Sequence, residues 1–413
     1  MVTRLRASPD RIERRAARLA AIGAAAARPP QRAGVTRLGL TEEEQRAHAL
    51  VGGWLERRGA RVRSDAAGNL LARFDGKGPS ILVGSHLDSV PEGGWYDGAL
   101  GVVVAAEAME VLSEAGVRLR SAVEVVGWTD EEGVRFGIGL FGSLAAFGRL
   151  PAGAAERRDP SGVTIRQALR ALGLSGDPTK ARFPKGAIRA YIEPHIEQGP
   201  NLAEARKPLA VVSRIVGILH ARVTVSGRQD HAGTTPMGDR ADAFAGAAEM
   251  ALALEGVAAQ HPGAVGTVGE IAVRPGAKNV VPGECVFSID IRAPQDRTLD
   301  AVVGGFERAV WRIAGARSLR ASIDVLNRVE VAPLDRSLRT TLRRACAAAG
   351  VEAEELVSGA GHDAQNAQLA GVPTGMIFIR SRGGSHSPRE RAEPADAALA
   401  ATALAHALVE LAG

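Results

Sequence analysis

Several short stretches of this 413-residue chain place histidines and acids at spacings that suit metal chemistry. In Gly84-Ser85-His86-Leu87-Asp88 the i, i+2 spacing points His86 and Asp88 to one face of an extended chain. A carboxylate beside an imidazole is the usual means of orienting it toward an ion. Asp97 follows in Gly94-Trp95-Tyr96-Asp97-Gly98, where glycine freedom lets a carboxylate be aimed at a point. Glu131 and Glu132 are adjacent in Thr129-Asp130-Glu131-Glu132-Gly133. Neighbours in extended chain point apart, so one can bind an ion while the other stays free as a base. His195 lies in Tyr191-Ile192-Glu193-Pro194-His195-Ile196-Glu197-Gln198-Gly199-Pro200, and His386 in Gly383-Gly384-Ser385-His386-Ser387-Pro388. Imidazoles and carboxylates without thiolates suit a pair of zinc-like divalent ions in a hydrolytic site. Each group also has a blander reading: the glutamates as a helix N-cap cluster, His195 as a satisfied core histidine, His386 as a loop residue. That so many stand after an apolar strand or beside Gly or Pro argues jointly for a site.

The elements that must position these groups are legible around them. Ser80-Ile81-Leu82-Val83 is a short, branched apolar run that predicts a buried strand delivering His86 at its carboxyl end. A helix is expected over Leu100–Leu112, and a second buried strand over Ser121–Trp128 leads into the glutamate pair. Strands alternating with helical stretches from Ser80 to about Leu209 predict an α/β layered domain. Leu150–Arg182 reads as helical, broken at Pro160 and Pro178. Near Pro208 the texture changes. Ile218–Val225, Gly266–Val273 and Cys285–Arg292 alternate like half-exposed antiparallel strands, with helices over Asp239–Ala259 and Leu299–Ala314. From about Val331 the first style resumes, with helices Ser337–Gly350 and Asp396–Leu411 and a strand Thr374–Ile379. The expected organisation is therefore an α/β domain over 1–210 and 329–413, interrupted by an α+β module over 211–328.

At the N-terminus, Arg4 to Arg37 is basic and poor in acids, superficially like a transit peptide. Apolar residues at helical spacing over Arg11–Ala27, a capped helix start at Thr41-Glu42-Glu43-Glu44 and a turn at Gly68-Asn69 predict an ordinary helix–helix–hairpin start instead. The turn separates expected strands Ala60–Asp65 and Leu70–Phe74. No apolar run reads as a membrane span, and two cysteines, Cys285 and Cys346, argue against a disulfide framework and for a reducing cytoplasm. The net charge of +5 raises nucleic acid as a partner, but the excess arginines are scattered between acids and no nucleic-acid motif is present.

The motifs resemble the M20-type amidohydrolases. The likeness runs in order through Gly84–Val90, Tyr96–Gly101, Glu131–Phe136, His195–Gly199, His231-Ala-Gly-Thr-Thr-Pro-Met237, Asn279-Val-Val-Pro-Gly283, Asp290-Ile-Arg292 and Gly361-His-Asp-Ala364. Gln198, and His195 where M20 peptidases usually place an acid, point to the hydantoinase/carbamoylase branch: N-carbamoyl-L-amino acid hydrolases, allantoate amidohydrolases and β-ureidopropionases. The resemblance implies a metallopeptidase-like α/β catalytic domain with a central mixed sheet, and an inserted α+β domain acting as lid and dimer surface. It implies two divalent ions per subunit, zinc or else manganese, cobalt or nickel. One would sit on His86, Asp97 and His195, the other on Asp97, Glu132 and His386, with Asp97 shared. Asp88 would steady His86, Glu131 would be the general base, and Gln198, His231, Asn279 and Arg292 would grip the substrate. His231 would also serve the oxyanion. Ala203, where many relatives have Glu, and the bulky Trp95-Tyr96 depart from the pattern and bear on substrate size.

The function implied is hydrolysis of N-carbamoyl-L-amino acids, with allantoate or a β-ureido acid as the other substrates; either way the substrate is a small, carboxylate-bearing ureido compound. A homodimer without membrane or nucleic-acid partners is expected. A catalytically inactive binding module is the competing class, and the presence of Glu131 and every expected ligand argues against it. For Arg292 two readings stand: a surface ion pair with Asp290, or a guanidinium fork on the substrate's carboxylate.

Overall fold

The computed structural model describes residues 5–25 and 33–413. The expected strand at Ser80 extends back to Lys77 and ends at His86, with every residue from Ser80 onward buried. It lies at the middle of a nine-stranded mixed sheet. Lys77–His86 runs parallel to Ser121–Trp128 on one side and to Ile188–Ile196 on the other, and Ile188–Ile196 runs parallel to Thr374–Ile379. Strands covered on both faces read as unbroken apolar runs, as Ile81-Leu82-Val83 and Val125-Val126 do. Antiparallel strands flank this parallel core: Leu70–Phe74 and Arg61–Ser64 beyond Ser121–Trp128, and Leu209–Ile215 beyond Thr374–Ile379. In register, His86 lies opposite Trp128, and Phe378 opposite His195. The parallel strands thus end together, and the chain segments leaving their carboxyl ends meet. Ligand sites of open α/β sheets form at such ends.

Helix Ala99–Glu114 is buried along its whole length to Leu112, packing on this sheet and against the helix Pro394–Ala412. Pro394–Ala412 is long and apolar enough to cross a membrane by length and composition, contrary to the expectation that no run is. Most of it is buried in the sheet-covering layer, the behaviour of a core helix, and it is the one such helix among the described residues. The N-terminal helix spans Pro9–Ala20, shorter than the expected Arg11–Ala27; Arg4, Ala26 and Ala27 lie outside the described residues. Thr41 caps Glu42–Glu56 as expected, accepting from the Glu44 N–H. The turn at Gly68-Asn69 belongs to a longer loop folded around the Asp65 carboxylate, which accepts from the N–H groups of Ala67 and Asn69.

Leu150–Arg182 is not a broken long helix. It holds one two-turn helix, Ile165–Ala171, and two short 3-10 turns, because Gly153, Gly162, Gly173 and Gly176 all take positive φ between them.

The chain divides into two compact units: 1–213, 333–358 and 362–413 in the first, and 214–332 with 359–361 in the second. The second unit has a five-stranded antiparallel sheet ordered Ile271–Arg274, Glu284–Ala293, Gly217–Ser226, Arg320–Val329, with Val265–Thr267 also pairing Glu284–Ala293. Gly266–Val273 is therefore two short strands rather than one. Along Glu284–Ala293 burial alternates strictly: Cys285, Phe287, Ile289 and Ile291 point to the core made with helices Ala243–Ala259 and Asp296–Ala316. Ser288, Asp290 and Arg292 take the other face.

Candidate metal centre

Of the expected site residues, His86, Asp88, Asp97, Glu131, Glu132, His195, Gln198 and His386 converge at the carboxyl ends of the parallel strands. His86, Asp97 and His195 bring ligand atoms within 4.8 Å of one another, and so do Asp97, Glu132 and His386. In the first group His86 Nε2 and His195 Nε2 are 3.5 Å apart, and lie 3.7 and 3.3 Å from Asp97 Oδ1. In the second, His386 Nε2 is 3.4 Å from Asp97 Oδ2 and 3.3 Å from Glu132 Oε2. Each oxygen of Asp97 thus faces one group.

The ligand atoms are set by what holds their other ends. His195 donates Nδ1–H to its neighbour's carbonyl, Ile196 O, at 2.8 Å, which leaves the Nε2 lone pair toward Asp97. His86 turns Nδ1 to Asp88 Oδ1 at 3.3 Å. Asp88 also accepts the N–H groups of Glu131 and Glu132, each at 3.0 Å, one on each oxygen. The imidazole of His86 lies against Gly98, where a Cβ would come within 2.3 Å of the ring and where φ is +60°. Gln198 takes φ +62° and donates Nε2–H to both Asp97 oxygens, at 2.9 and 3.2 Å. Non-glycine residues in the left-handed region cluster at functional loops; Asp130 and His386 do the same here, at +51° and +58°.

Electrostatics follow from this crowding of acids. Burial drives the Glu131 carboxyl well above the carboxylate range, with Glu132 and Asp363 adding to it and His86 opposing. Glu132 is raised as well, chiefly by burial. Hydrogen bonds to Asp97 and Glu132 raise His386 to about 10, whereas burial lowers His195 to about 4. Burial opposes the Asp97 charge too, but His386, His86 and His195 hold its carboxyl well below the usual range.

The residues fit two divalent ions. The donor set is nitrogen and oxygen only, His195 presents a neutral imidazole, and Glu132 Oε1 is buried without a hydrogen-bond partner. A third gathering, Glu193, His195 and His362, is engaged otherwise. Glu193 accepts from Ser85 Oγ and Ala364 N at 2.9 and 2.7 Å, and His362 Nε2 is 2.8 Å from Ser358 Oγ. It reads as a wall behind His195.

Three expected residues belong to the second unit. His231 pairs with Val280 in a two-residue ladder, next to Asn279, whose carbonyl accepts from Ala232 N. The His231 Nδ1 accepts the N–H groups of Gly233 and Thr234, which places its proton on Nε2. Arg292 lies on the larger sheet. It donates Nε–H and Nη2–H to Asp290 at 3.0 and 2.8 Å, and Nη1–H to Gly359 O at 3.1 Å. Asp290 also meets His220 Nε2 at 3.2 Å. Burial opposes the Asp290 charge, but His220 and Arg292 hold its carboxyl well below the usual range.

Residues that the sequence does not assign to the site also shape it. Glu44, fully buried, accepts from Leu40 N, Asp130 N and Thr129 Oγ1, fixing the approach to the glutamate pair. The Thr41-x-x-Glu44 spacing marks a helix start and carries no sign of this role. Arg37 is buried and donates to the carbonyls of Leu19, Ile22 and Leu87. Glu390 is buried beside Asp97 and carries no motif of its own.

Comparison with known proteins places the whole chain in a family. The model of peptidase family M20/M25/M40 matches residues 82–410. The N-carbamoyl-L-amino acid amidohydrolase of Geobacillus stearothermophilus is 41% identical over 386 residues, covering 92% of this chain and 94% of that protein. A probable allantoate deiminase of Oryza sativa subsp. japonica is 36% identical over 389 residues, covering 85% and 79%. The crystal structure of a hydantoinase/carbamoylase family amidase from Burkholderia ambifaria superposes with a TM-score of 0.86 at 38% identity, covering 99% of this chain and 98% of that one. With its ligand groups, its mixed sheet and these likenesses in hand, the chain belongs to peptidase family M20/M25/M40, in the hydantoinase/carbamoylase branch.

Proposed function

We propose that this chain hydrolyses the ureido C–N bond of N-carbamoyl-L-amino acids, releasing the amino acid, ammonia and carbon dioxide. The observation that carries the proposal is the shared carboxylate. Asp97 belongs to both ligand groups, while the Glu131 carboxyl stands 3.8 Å from His86 Nε2 and belongs to neither. Two divalent ions, when bound, make a water acidic enough to attack at neutral pH and polarise the carbonyl. Glu131 takes the proton of the attacking water as its oxygen adds to the ureido carbon, and returns it to the leaving nitrogen as the C–N bond breaks. The carbamic fragment then falls to carbon dioxide and ammonia. His231, with its proton on Nε2, is suited to donate to the developing oxyanion. Arg292, with Asn279 and Gln198, is assigned to the substrate's carboxylate end, and Asp88 to holding His86 and the glutamate backbone.

The finer readings belong to the same proposal. The ions are zinc, or manganese, cobalt or nickel, which such nitrogen and oxygen donors all accept. The second unit serves as lid and dimer surface, and the free, buried cysteines suit a cytoplasmic enzyme. The test is a panel of N-carbamoyl-L-amino acids against allantoate, with ammonia release as readout. Turnover of allantoate alone would replace the first reading with the second, which the likeness to a probable allantoate deiminase favours. Turnover of neither would sink both.

A further inference from the structure

His386 is the most exposed of the expected ligands, its side chain half exposed, and it sits in a loop rather than at a strand end. That loop, 383–390, is closed at its base by the two-residue ladder of Ser381–Arg382 with Arg391–Ala392. Glu390 joins this loop to the turn that carries Asp97. It is 1% exposed and lies at the foot of the loop. Its Oε1 accepts the N–H groups of Tyr96 and Asp97 at 2.8 and 3.2 Å. Its Oε2 meets Ser385 Oγ at 3.0 Å, and that same hydroxyl lies 2.5 Å from Asp97 Oδ2. One side chain therefore ties the backbone of the turn to the residue preceding His386.

The turn is shaped for this contact. A Cβ on Gly94 would fall 2.1 Å from Glu390 Oε1, so only glycine there lets the carboxyl seat against the turn. The two segments come from opposite ends of the sequence, Ser385 lying 288 residues from Asp97.

We propose that Glu390, seated on Gly94 and working through Ser385, is the positioning residue that locks the His386 loop onto the shared carboxylate Asp97. It is not a ligand. It sets the distance between ligands from two loops, as outer partners of metal ligands do elsewhere. The inference rests on the reading of Asp97 and His386 as ligands.

The test is metal binding, measured by calorimetry with zinc or manganese on protein stripped by a chelator, and checked by elemental analysis. The parent is expected to bind two ions per chain. Glu390→Ala should weaken the more loosely held ion at least about tenfold and leave the tighter one within about threefold. Glu390→Gln should bind near the parent, because an amide oxygen accepts both N–H groups and its NH₂ donates to Ser385 Oγ. Gly94→Ala, which crowds the same seat from the other side, and Ser385→Ala should each weaken the looser ion too; they carry the test if Glu390→Ala fails to fold. Two ions bound at parental affinity in Glu390→Ala, or in both of the other variants, would overturn the positioning role while leaving the ligand reading intact. A Glu390→Gln protein as weak as the alanine variant would also overturn it, since charge rather than hydrogen bonding would then be at issue. A parent that binds no ion would remove the ligand reading and this inference with it.

Discussion

Arg292→Lys is the perturbation with the most informative magnitude. The ion pair with Asp290 is present, and it does not exclude a substrate role. A guanidinium has five N–H donors. Asp290 takes Nε–H and one Nη2–H, and Gly359 O takes one Nη1–H. One N–H on each terminal nitrogen remains, enough for two parallel bonds to a carboxylate. A lysine ammonium has three N–H donors. With Asp290 and the Gly359 carbonyl still to satisfy, it keeps one. Losing one charge-assisted hydrogen bond costs about 1.5–3 kcal/mol. At about 1.4 kcal/mol per factor of ten, kcat/KM for an N-carbamoyl-L-amino acid should fall about 10- to 150-fold. The assay is steady-state ammonia release with that substrate and with a carbamoyl-amine lacking the carboxylate, for parent and variant. The amine should be poor with both proteins and nearly indifferent to the substitution. Equal losses on the two substrates would refute the reasoning and leave Arg292 as the structural half of an ion pair.

Other outcomes follow from the site. Dialysis against a chelator should abolish ammonia release, and zinc, manganese or cobalt should restore it; full turnover by metal-free protein would end the hydrolytic scheme. Glu131→Gln should retain parental metal content by elemental analysis while losing about 10²–10⁴-fold in turnover. Glu132→Gln should instead lose metal, and a reversal of the two results would exchange their roles. Gly98→Ala puts a methyl into the His86 ring at a positive φ. It should lower metal occupancy and the metal-induced rise in Tm, and an unchanged rise would show that His86 is not held as described.

The parts legible in the sequence are those where burial is complete. Ser121–Trp128 and Thr374–Ile379 have the bounds expected of them, because a strand covered on both faces leaves no ambiguity between core and solvent. The acids and histidines that follow these strands meet for the same reason: parallel neighbours in register must release their chains at one edge. Arg320–Val329 has little signature in the sequence because it is mostly exposed, and Ala321, Ile323 and Val325 alone make a faint alternation. In Leu150–Arg182 the alanines and leucines suggest helix, while the glycines between them settle the backbone. In the site, Glu44 and Glu390 had no local signal for their roles. Their partners are 86 and 293 residues away, at Asp130 and Asp97, and a carboxyl that serves distant backbone N–H groups leaves no spacing to read.

The position of Thr374–Ile379 bears on how the protein is made. That strand lies between Ile188–Ile196 and Leu209–Ile215, both of which leave the ribosome long before it. The second unit, synthesised in between and nearly continuous in sequence, has a sheet that needs nothing from the later chain. A nascent chain can therefore complete the second unit while the first sheet stands split, with two unpaired strand edges facing the gap. Open edges are templates for pairing with other chains. Closing the gap and delivering His386 are consecutive events on the same few residues, so the species that could aggregate is also one that cannot yet present the second ligand group.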